Sequence, residues 1–126
     1  MVSLPELNPH NWPTTPEIEM NLFTLWSRIN IVRTAWGRPM IVTSGLRSEE
    51  QQQDLIAQGL STATKSKHLL GEAVDILDID GSLKAWCKLN GSNILVRSRL
   101  WCEDGTNGWV HFQTQCPSSG RLWFKP

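Results

Sequence analysis

The sequence has no tyrosine, few cysteines and no excess of charge of either sign. Its 126 residues include twelve Lys and Arg against twelve Asp and Glu, so the formal net charge is zero. Without a basic excess or a long Lys/Arg run, the chain lacks the electrostatic footprint of a polyanion-binding protein, and we expect no nucleic-acid partner. The three cysteines are odd in number and lack the paired CxxC spacing of a structural zinc site, which favours reduced, partly buried thiols; they are Cys87, Cys102 and Cys116.

Long hydrophobic runs are also missing. No segment approaches the roughly 18 consecutive apolar residues that a membrane helix needs, so we expect no membrane insertion. The first six residues, MVSLPE, have neither a basic start nor an apolar stretch, so we expect synthesis in the cytoplasm without a Sec signal peptide. With 40% apolar and 19% charged residues, the composition is globular, and the length predicts a single domain over residues 1–126.

Tryptophan is abundant where tyrosine is absent. The chain has seven, and large aromatic side chains supply much of the buried surface of a small domain. We therefore expect most of them in the core, with one or two near a cleft facing substrate.

The first half of the chain carries clear helix and strand signals. Thr15-Pro16-Glu17 is a helix start, and apolar residues at helical spacing continue to Gly37. The β-rich stretch 39–43 predicts a strand that ends at Ser44-Gly45. Ser48 and Gln51 form a capping box that opens a helix through Ala57, stopped by Gly59. The Ser/Thr-rich stretch 60–67 predicts a loop that delivers His68 to the surface.

The second half predicts mainly strands. We expect a strand over 73–78, a short helix from about Ser82 to Leu89 ended by Asn90-Gly91, and strands over 97–102, 108–113 and 121–124. A Gly/Asn turn between the 97–102 and 108–113 strands indicates an antiparallel hairpin. Late, antiparallel strands with helices mostly ahead of them indicate an α+β fold.

Chemistry concentrates around two histidines. His68 precedes Asp75 by seven positions, and His111 lies in the strand-like run Trp109-Val110-His111-Phe112-Gln113. One aspartate and two histidines are the donor set of a catalytic zinc site with one open position. On spacing alone, His111 could instead be a satisfied core residue and Asp75 a turn acid.

Three motifs around these residues resemble the zinc D-alanyl-D-alanine peptidases of bacteria and phages. Ser-x-His-x-x-Gly-x-Ala-x-Asp is matched over 66–75, Trp-Val-His over 109–111, and Ser-Gly-x-Arg-Ser over 44–48. The resemblance runs from about residue 21 to residue 124. It is strongest to short phage and prophage members without a separate wall-binding domain.

The resemblance implies an antiparallel sheet flanked by helices, as in Hedgehog domains and DD-peptidases, and one zinc ion held by His68, Asp75 and His111. It also implies that Arg47 pairs with a substrate carboxylate or with the developing oxyanion, a role that its planar charged fork suits. Ser66 and Trp109, inside the matched motifs, are further candidates for contact with substrate.

The catalytic base is where the sequence departs from the family. Many members place an acid three residues before the last zinc histidine, and here that position is Gly108. If residues 105–107 form a three-residue hairpin loop, Glu103 pairs with Trp109 and shares the face of His111, while Asp104 points away. A four-residue loop would reverse this parity. Glu103 is therefore the predicted base, with Asp104 and Glu72 as alternatives.

The leading hypothesis is a monomeric zinc peptidoglycan hydrolase that cuts stem peptides, as an endopeptidase or a D,D-carboxypeptidase. It would act at the bacterial cell wall, in the host periplasm or from a virion, as a phage lysis or tail-associated enzyme. Without a signal peptide, it would need a membrane-permeabilising phage partner or delivery in the virion. One alternative is a zinc-containing peptidoglycan-binding module that has lost hydrolysis, and another is a phage structural protein whose histidines only fill the core.

Overall fold

The computed structural model describes residues 1–61 and 66–125, without the side chains of residues 91 and 92. Within these ranges the helices are α1 (Pro16–Trp36), α2 (Glu49–Ala57) and α3 (Ser82–Ser98), and the strands are β1 (Val42–Ser44), β2 (Ala73–Asp78), β3 (Trp101–Glu103), β4 (Gly108–Gln113) and β5 (Trp123–Phe124). Short 3-10 turns occupy Pro5–Leu7 and Lys67–Leu70. Among the described residues, no helix is long and apolar enough to cross a membrane.

The boundaries of α1 are set by local chemistry, as predicted. The hydroxyl of Thr15 accepts a hydrogen bond from the backbone N–H of Ile18, and Pro16 occupies the first helical position. At the other end Gly37 adopts the left-handed conformation with φ of 74°, and its N–H donates to the carbonyl of Arg33. Helix α2 begins in the same way, because Ser48 accepts from the N–H of Gln51.

The described strands form one mixed sheet in the order β1-β2-β4-β3-β5. Neighbouring strands are antiparallel except β3 and β5, which run parallel. The long central pair aligns Asp75 of β2 directly opposite His111 of β4. The predicted α+β fold is therefore confirmed, with a parallel edge pair that the sequence did not indicate.

Side chains alternate along the two central strands, so that apolar residues lie on one face of the sheet and the candidate site residues on the other. Val74 and Ile76 of β2 and Val110 and Phe112 of β4 are buried in the hydrophobic cluster with α1 and α3. Asp75, between two of these core residues, points to the opposite face of the sheet, as does His111 on β4. Burial of the apolar side chains thus holds β2 and β4 in place, and Asp75 and His111 project from their opposite face.

Helix α3 is much longer than predicted. It continues through Asn90-Gly91 to Ser98 and ends at Arg99, which takes the left-handed conformation with φ of 55°. Beyond the glycine, Ile94 and Leu95 are 4% and 0% exposed. Burial of two large apolar side chains outweighs the roughly 1 kcal/mol that a glycine costs inside a helix. The predicted strand over 97–102 is correspondingly wrong at its start, because residues 97 and 98 belong to α3.

The hairpin register also differs from the prediction. Trp101 pairs with Gln113 and Cys102 with Phe112, so the pairing is displaced by two residues and the connection is longer than three residues. An even displacement preserves side-chain parity, because alternate residues of a strand share a face. Glu103 therefore stays on the face of His111 although the predicted loop length was wrong.

His68 is buried, against our expectation of a loop that delivers it to the surface. His68 lies in the 3-10 turn Lys67–Leu70 and is 2% exposed. Gly71 closes the turn with φ of 72°, and a Cβ atom at this position would crowd the side chain of Leu22 of α1. Of the predicted loop over 60–67, residues 62–65 lie outside the described part of the chain.

The length of α3 can be tested by a pair of alanine substitutions beyond the glycine. Leu95→Ala should lower the free energy of unfolding by about 2–5 kcal/mol, because a fully buried leucine is lost from the core. Val96→Ala should change it by less than about 0.5 kcal/mol, because Val96 is exposed. Urea denaturation measures both. Equal effects at the two positions would mean that α3 does not present this face to the core.

Candidate metal centre

Asp75 and His111 are brought together by strand pairing. They are cross-strand partners on β2 and β4, and His111 Nδ1 lies 2.9 Å from Asp75 Oδ1. Both side chains project from the face of the sheet that is turned away from the hydrophobic core. The sheet register therefore fixes two of the predicted ligands.

His68 reaches the same carboxylate from outside the sheet. The hydroxyl of Ser66 accepts a hydrogen bond from the N–H of His68 and so caps the turn that positions it. His68 Nδ1 lies 2.8 Å from the carbonyl oxygen of Gly45, so this nitrogen carries the proton and donates. The other ring nitrogen, Nε2, is left with its lone pair 3.2 Å from Asp75 Oδ1.

His111 is oriented by a glutamine on its own strand. Gln113 Nε2 donates to the carbonyl of Gln115, so Gln113 Oε1 faces His111 Nε2 at 3.0 Å. A carbonyl oxygen can only accept, so His111 Nε2 carries a proton, and Nδ1 is the ring nitrogen that faces Asp75 Oδ1. Each imidazole thus has one nitrogen held by the protein and the other aimed at the same point.

Arg47 contacts the third ligand directly. Its Nη2 lies 3.3 Å from Asp75 Oδ2, its Nε donates to Ser44 Oγ at 2.9 Å, and its Nη1 donates to Gln52 Oε1 at 3.0 Å. The two oxygens of Asp75 are therefore divided, with Oδ1 toward the imidazoles and Oδ2 toward the guanidinium. Arg47 thus fixes the orientation of the Asp75 carboxylate.

Mutual electrostatics shift the pKa of each of the three residues. Burial alone would raise the pKa of Asp75, but the imidazoles of His68 and His111 outweigh it and hold that pKa well below its usual range. Burial lowers the pKa of His68, and the neighbouring carboxylate of Asp75 does not compensate. For His111 burial is outweighed by the hydrogen bond and charge of Asp75, which raise its pKa.

The three residues fit a zinc ion. Each offers one ligand atom, and these atoms lie within 4.8 Å of one another in a buried cluster. Neutral imidazole nitrogens and a carboxylate oxygen are ordinary zinc ligands, and three protein ligands leave a position open. The outer hydrogen bonds, in which the carbonyl oxygens of Gly45 and Gln113 accept and Arg47 donates, are of the kind that orient metal ligands.

The cluster opens into a cavity of about 360 Å³. The late strands contribute Glu103, Trp109, Gln113 and Phe124 to its wall, which also includes Arg47, Ser66 and Lys67. Trp109 is 40% exposed, so its ring is available to a ligand. The structure thus brings the predicted residues Glu103, Arg47, Ser66 and Trp109 to one cavity with the three candidate ligands.

The two alternative bases lie elsewhere. Asp104 faces α3, where its Oδ1 lies 3.1 Å from Lys88 Nζ and 3.9 Å from Lys84 Nζ. Glu72 is buried next to β2 and does not line the cavity. Of the three candidate bases, Glu103 is the one whose side chain faces the metal cluster.

Sequence reasoning missed the residues that support the ligands. Gln113 could have been predicted from the sequence, because residues two apart on a strand share a face and His111 was already assigned to the site. Gln52, 1% exposed, and the carbonyl of Gly45 were not retrievable, because their contacts depend on how α2 and the 45–48 turn pack. At Gly45 a Cβ atom would overlap the backbone carbonyl of Leu7, so the chain passes here without a side chain.

Comparisons with known proteins bear on the fold and the family. No curated protein compared with the chain is significantly similar to it. A solved structure of the Serratia marcescens L-Ala D-Glu endopeptidase ChiX is similar in fold, with a TM-score of 0.60 and 22% sequence identity over 91% of this chain and 99% of that one. The family model described as Peptidase M15 matches residues 10–112, a span that includes all three candidate ligands. The chain therefore belongs to the Peptidase M15 family and is a metallopeptidase.

Proposed function

We propose that the protein is a zinc-dependent peptidoglycan hydrolase that cuts a peptide bond within the stem peptide. One observation carries the proposal: His68, Asp75 and His111 place their ligand atoms within 4.8 Å of one another, in a cavity that also contains Glu103 and Arg47. Such a cavity combines a metal-binding cluster with a carboxylate and a fixed cation, which are the groups that metal-assisted peptide hydrolysis needs.

An endopeptidase is favoured over a carboxypeptidase. The similar fold of an L-Ala D-Glu endopeptidase supports this direction. The cavity into which the candidate ligands open, called here the metal-side cavity, shares Arg47, Ser66 and Lys67 with a second cavity, so substrate can extend beyond the cut bond. The sequence resemblance to short phage members further suggests a lysis or tail-associated role, with a membrane-permeabilising partner or virion delivery providing access to the wall.

The metal ion, Glu103 and Arg47 would have separate roles in hydrolysis. Zinc, when bound, would polarise the scissile carbonyl and activate water for attack. Glu103 would accept the proton of the attacking water and pass it to the leaving amine. Arg47 would hold Asp75 in place while its remaining N–H groups face the oxygen on which negative charge develops.

Gly108 is better explained by backbone geometry than by lost chemistry. Its φ is 92°, a conformation that an acidic side chain would adopt only with strain. The absence of an acid at this position therefore does not favour the inactive binding module. It favours a base supplied from another position, and Glu103 is suitably placed.

We expect one zinc ion per chain, bound with an affinity that depends on both the ligands and their supports. His68→Ala or Asp75→Ala should abolish stoichiometric binding. Gln113→Leu should weaken zinc affinity by about 10–100-fold, because it removes the acceptor that orients His111. Competition titration with a chromophoric chelator, together with elemental analysis, measures both effects.

The matched control is Gln115→Leu, whose exposed side chain is not used in the network and whose backbone carbonyl is retained. It should bind zinc like the parent. Less than stoichiometric zinc in the fully loaded parent would count decisively against the site.

Glu103→Gln should retain stoichiometric zinc and lose about two to four orders of magnitude in turnover, because glutamine keeps the size of the side chain but accepts no proton. Asp104→Asn should have little effect, since Asp104 faces Lys84 and Lys88 outside the cavity. Release of peptides from purified peptidoglycan, followed by mass analysis, measures turnover and identifies the bond.

Cleavage at the parental rate by Glu103→Gln would remove it as the base. A parent that binds zinc fully yet leaves peptidoglycan intact would favour the binding module. Release of terminal D-alanine alone would identify a carboxypeptidase.

Arg47→Lys should lower both turnover and zinc affinity, because one ammonium cannot make the separate bonds to Ser44, Gln52 and Asp75. Arg38→Lys serves as the control, since Arg38 stacks on Trp36 away from the cavity. Steady-state kinetics at saturating zinc separate the two effects. An unchanged catalytic constant together with unchanged zinc affinity would exclude Arg47 from the site.

A further inference from the structure

The metal-side cavity has a neighbour with which it shares a wall. A second cavity of about 600 Å³ is lined on its apolar side by Trp12, Ile18, Leu69 and Leu70. Both cavities are also lined by Arg47, Ser66 and Lys67. These three residues therefore separate the two spaces, and a substrate that fills both must cross them.

The two cations in the shared wall differ in what they can still bind. Arg47 has hydrogen bonds to Ser44, Gln52 and Asp75, and its side chain is 12% exposed. Lys67 is exposed, and within the described residues its ammonium has no hydrogen bond or ion pair. Glu49 also lines the second cavity, yet it forms no ion pair with Lys67 in the described structure. Lys67 is thus the cation of the shared wall whose charge is not already paired with a carboxylate of the described structure.

Lys67 is also close to the reaction centre. It directly precedes His68, so their α-carbons are about 3.8 Å apart. The side chain of His68 points inward to the metal cluster while that of Lys67 lines both cavities. An anionic group attached near the scissile bond therefore lies within its reach.

We propose that Lys67 is a specificity-determining residue that binds a free carboxylate of the substrate, next to the bond that is cut. The proposal rests on the proposed function. In a stem peptide that continues through the γ-carboxyl of D-glutamate, the carbon that bears the scissile nitrogen of the L-Ala–D-Glu bond also bears a free α-carboxylate. That carboxylate is the anionic group nearest to this bond, so it is the group that Lys67 would bind.

The test compares two synthetic substrates with the zinc-loaded full chain. One is L-Ala-γ-D-Glu-L-Lys-D-Ala, and the other carries a carboxamide in place of the α-carboxylate of D-glutamate. The parent should prefer the free carboxylate by about five-fold in kcat/KM, mainly through KM, as expected for a partly exposed ion pair. The preference should shrink with added salt.

Substitutions then assign the preference to one side chain. Lys67→Met should abolish it, Lys67→Arg should retain it, and Lys67→Glu should invert it in favour of the carboxamide. Arg121→Met removes one exposed positive charge that lines neither cavity, so it should leave the parental ratio unchanged. Zinc content and thermal unfolding of each variant establish that the centre and the fold are intact.

The outcomes separate the two proposals. If the parent cuts both substrates with equal efficiency, or if Lys67→Met keeps the parental ratio, the assignment of Lys67 is overturned while the hydrolase stands. If the zinc-loaded parent cuts neither substrate but releases other peptides from peptidoglycan, the assignment of Lys67 fails and a different bond is cut. If it cuts nothing, the proposed function fails and the assignment of Lys67 fails with it.

Discussion

The buried carboxylate of Asp75 is the group on which the site depends. A negative charge in the protein interior is costly unless it is paired and hydrogen-bonded. Here one oxygen faces His68 and His111 and the other faces Arg47, so the Asp75 carboxylate has a partner on each side. The carboxylate stands on β2, between β1 and β4, so the centre of the sheet fixes its position.

Around this carboxylate, the imidazole rings of His68 and His111 are oriented by different hydrogen-bond acceptors. A backbone carbonyl, that of Gly45, orients His68, whereas a side-chain amide, that of Gln113, orients His111. Gln52, held within the protein, does the same for Arg47. Preorganisation of this kind means that metal binding requires little rearrangement, and it leaves the open side of the cluster facing the cavity where Glu103 and Trp109 lie.

Local chemistry was readable from the sequence and long-range packing was not. The ends of α1 follow from Thr15 and Gly37, and the span of β2 from its own residues, so these were predicted correctly. The end of α3 was mispredicted because Gly91 is a local stop signal that burial of Leu95 overrides. The predicted hairpin register was wrong because strand register depends on pairing across the whole sheet. Glu103 nevertheless lies on the face of His111, because the displacement is by an even number of residues. The ligand cluster was predicted from motif resemblance, while the contact of Arg47 with Asp75 required the packing of α2.

The glycine at position 45 has an implication for protein engineering. Its carbonyl orients a candidate metal ligand, while its α-carbon lies so close to Leu7 that no side chain fits between them. Leu7 is itself fully buried, and its carbonyl also accepts the N–H of Leu46. Leu7 therefore supports the backbone that orients His68 in the candidate metal centre. A tag or a truncation that displaces Leu7 would also displace Gly45 and, through it, His68, although Leu7 is far from His68 in the sequence.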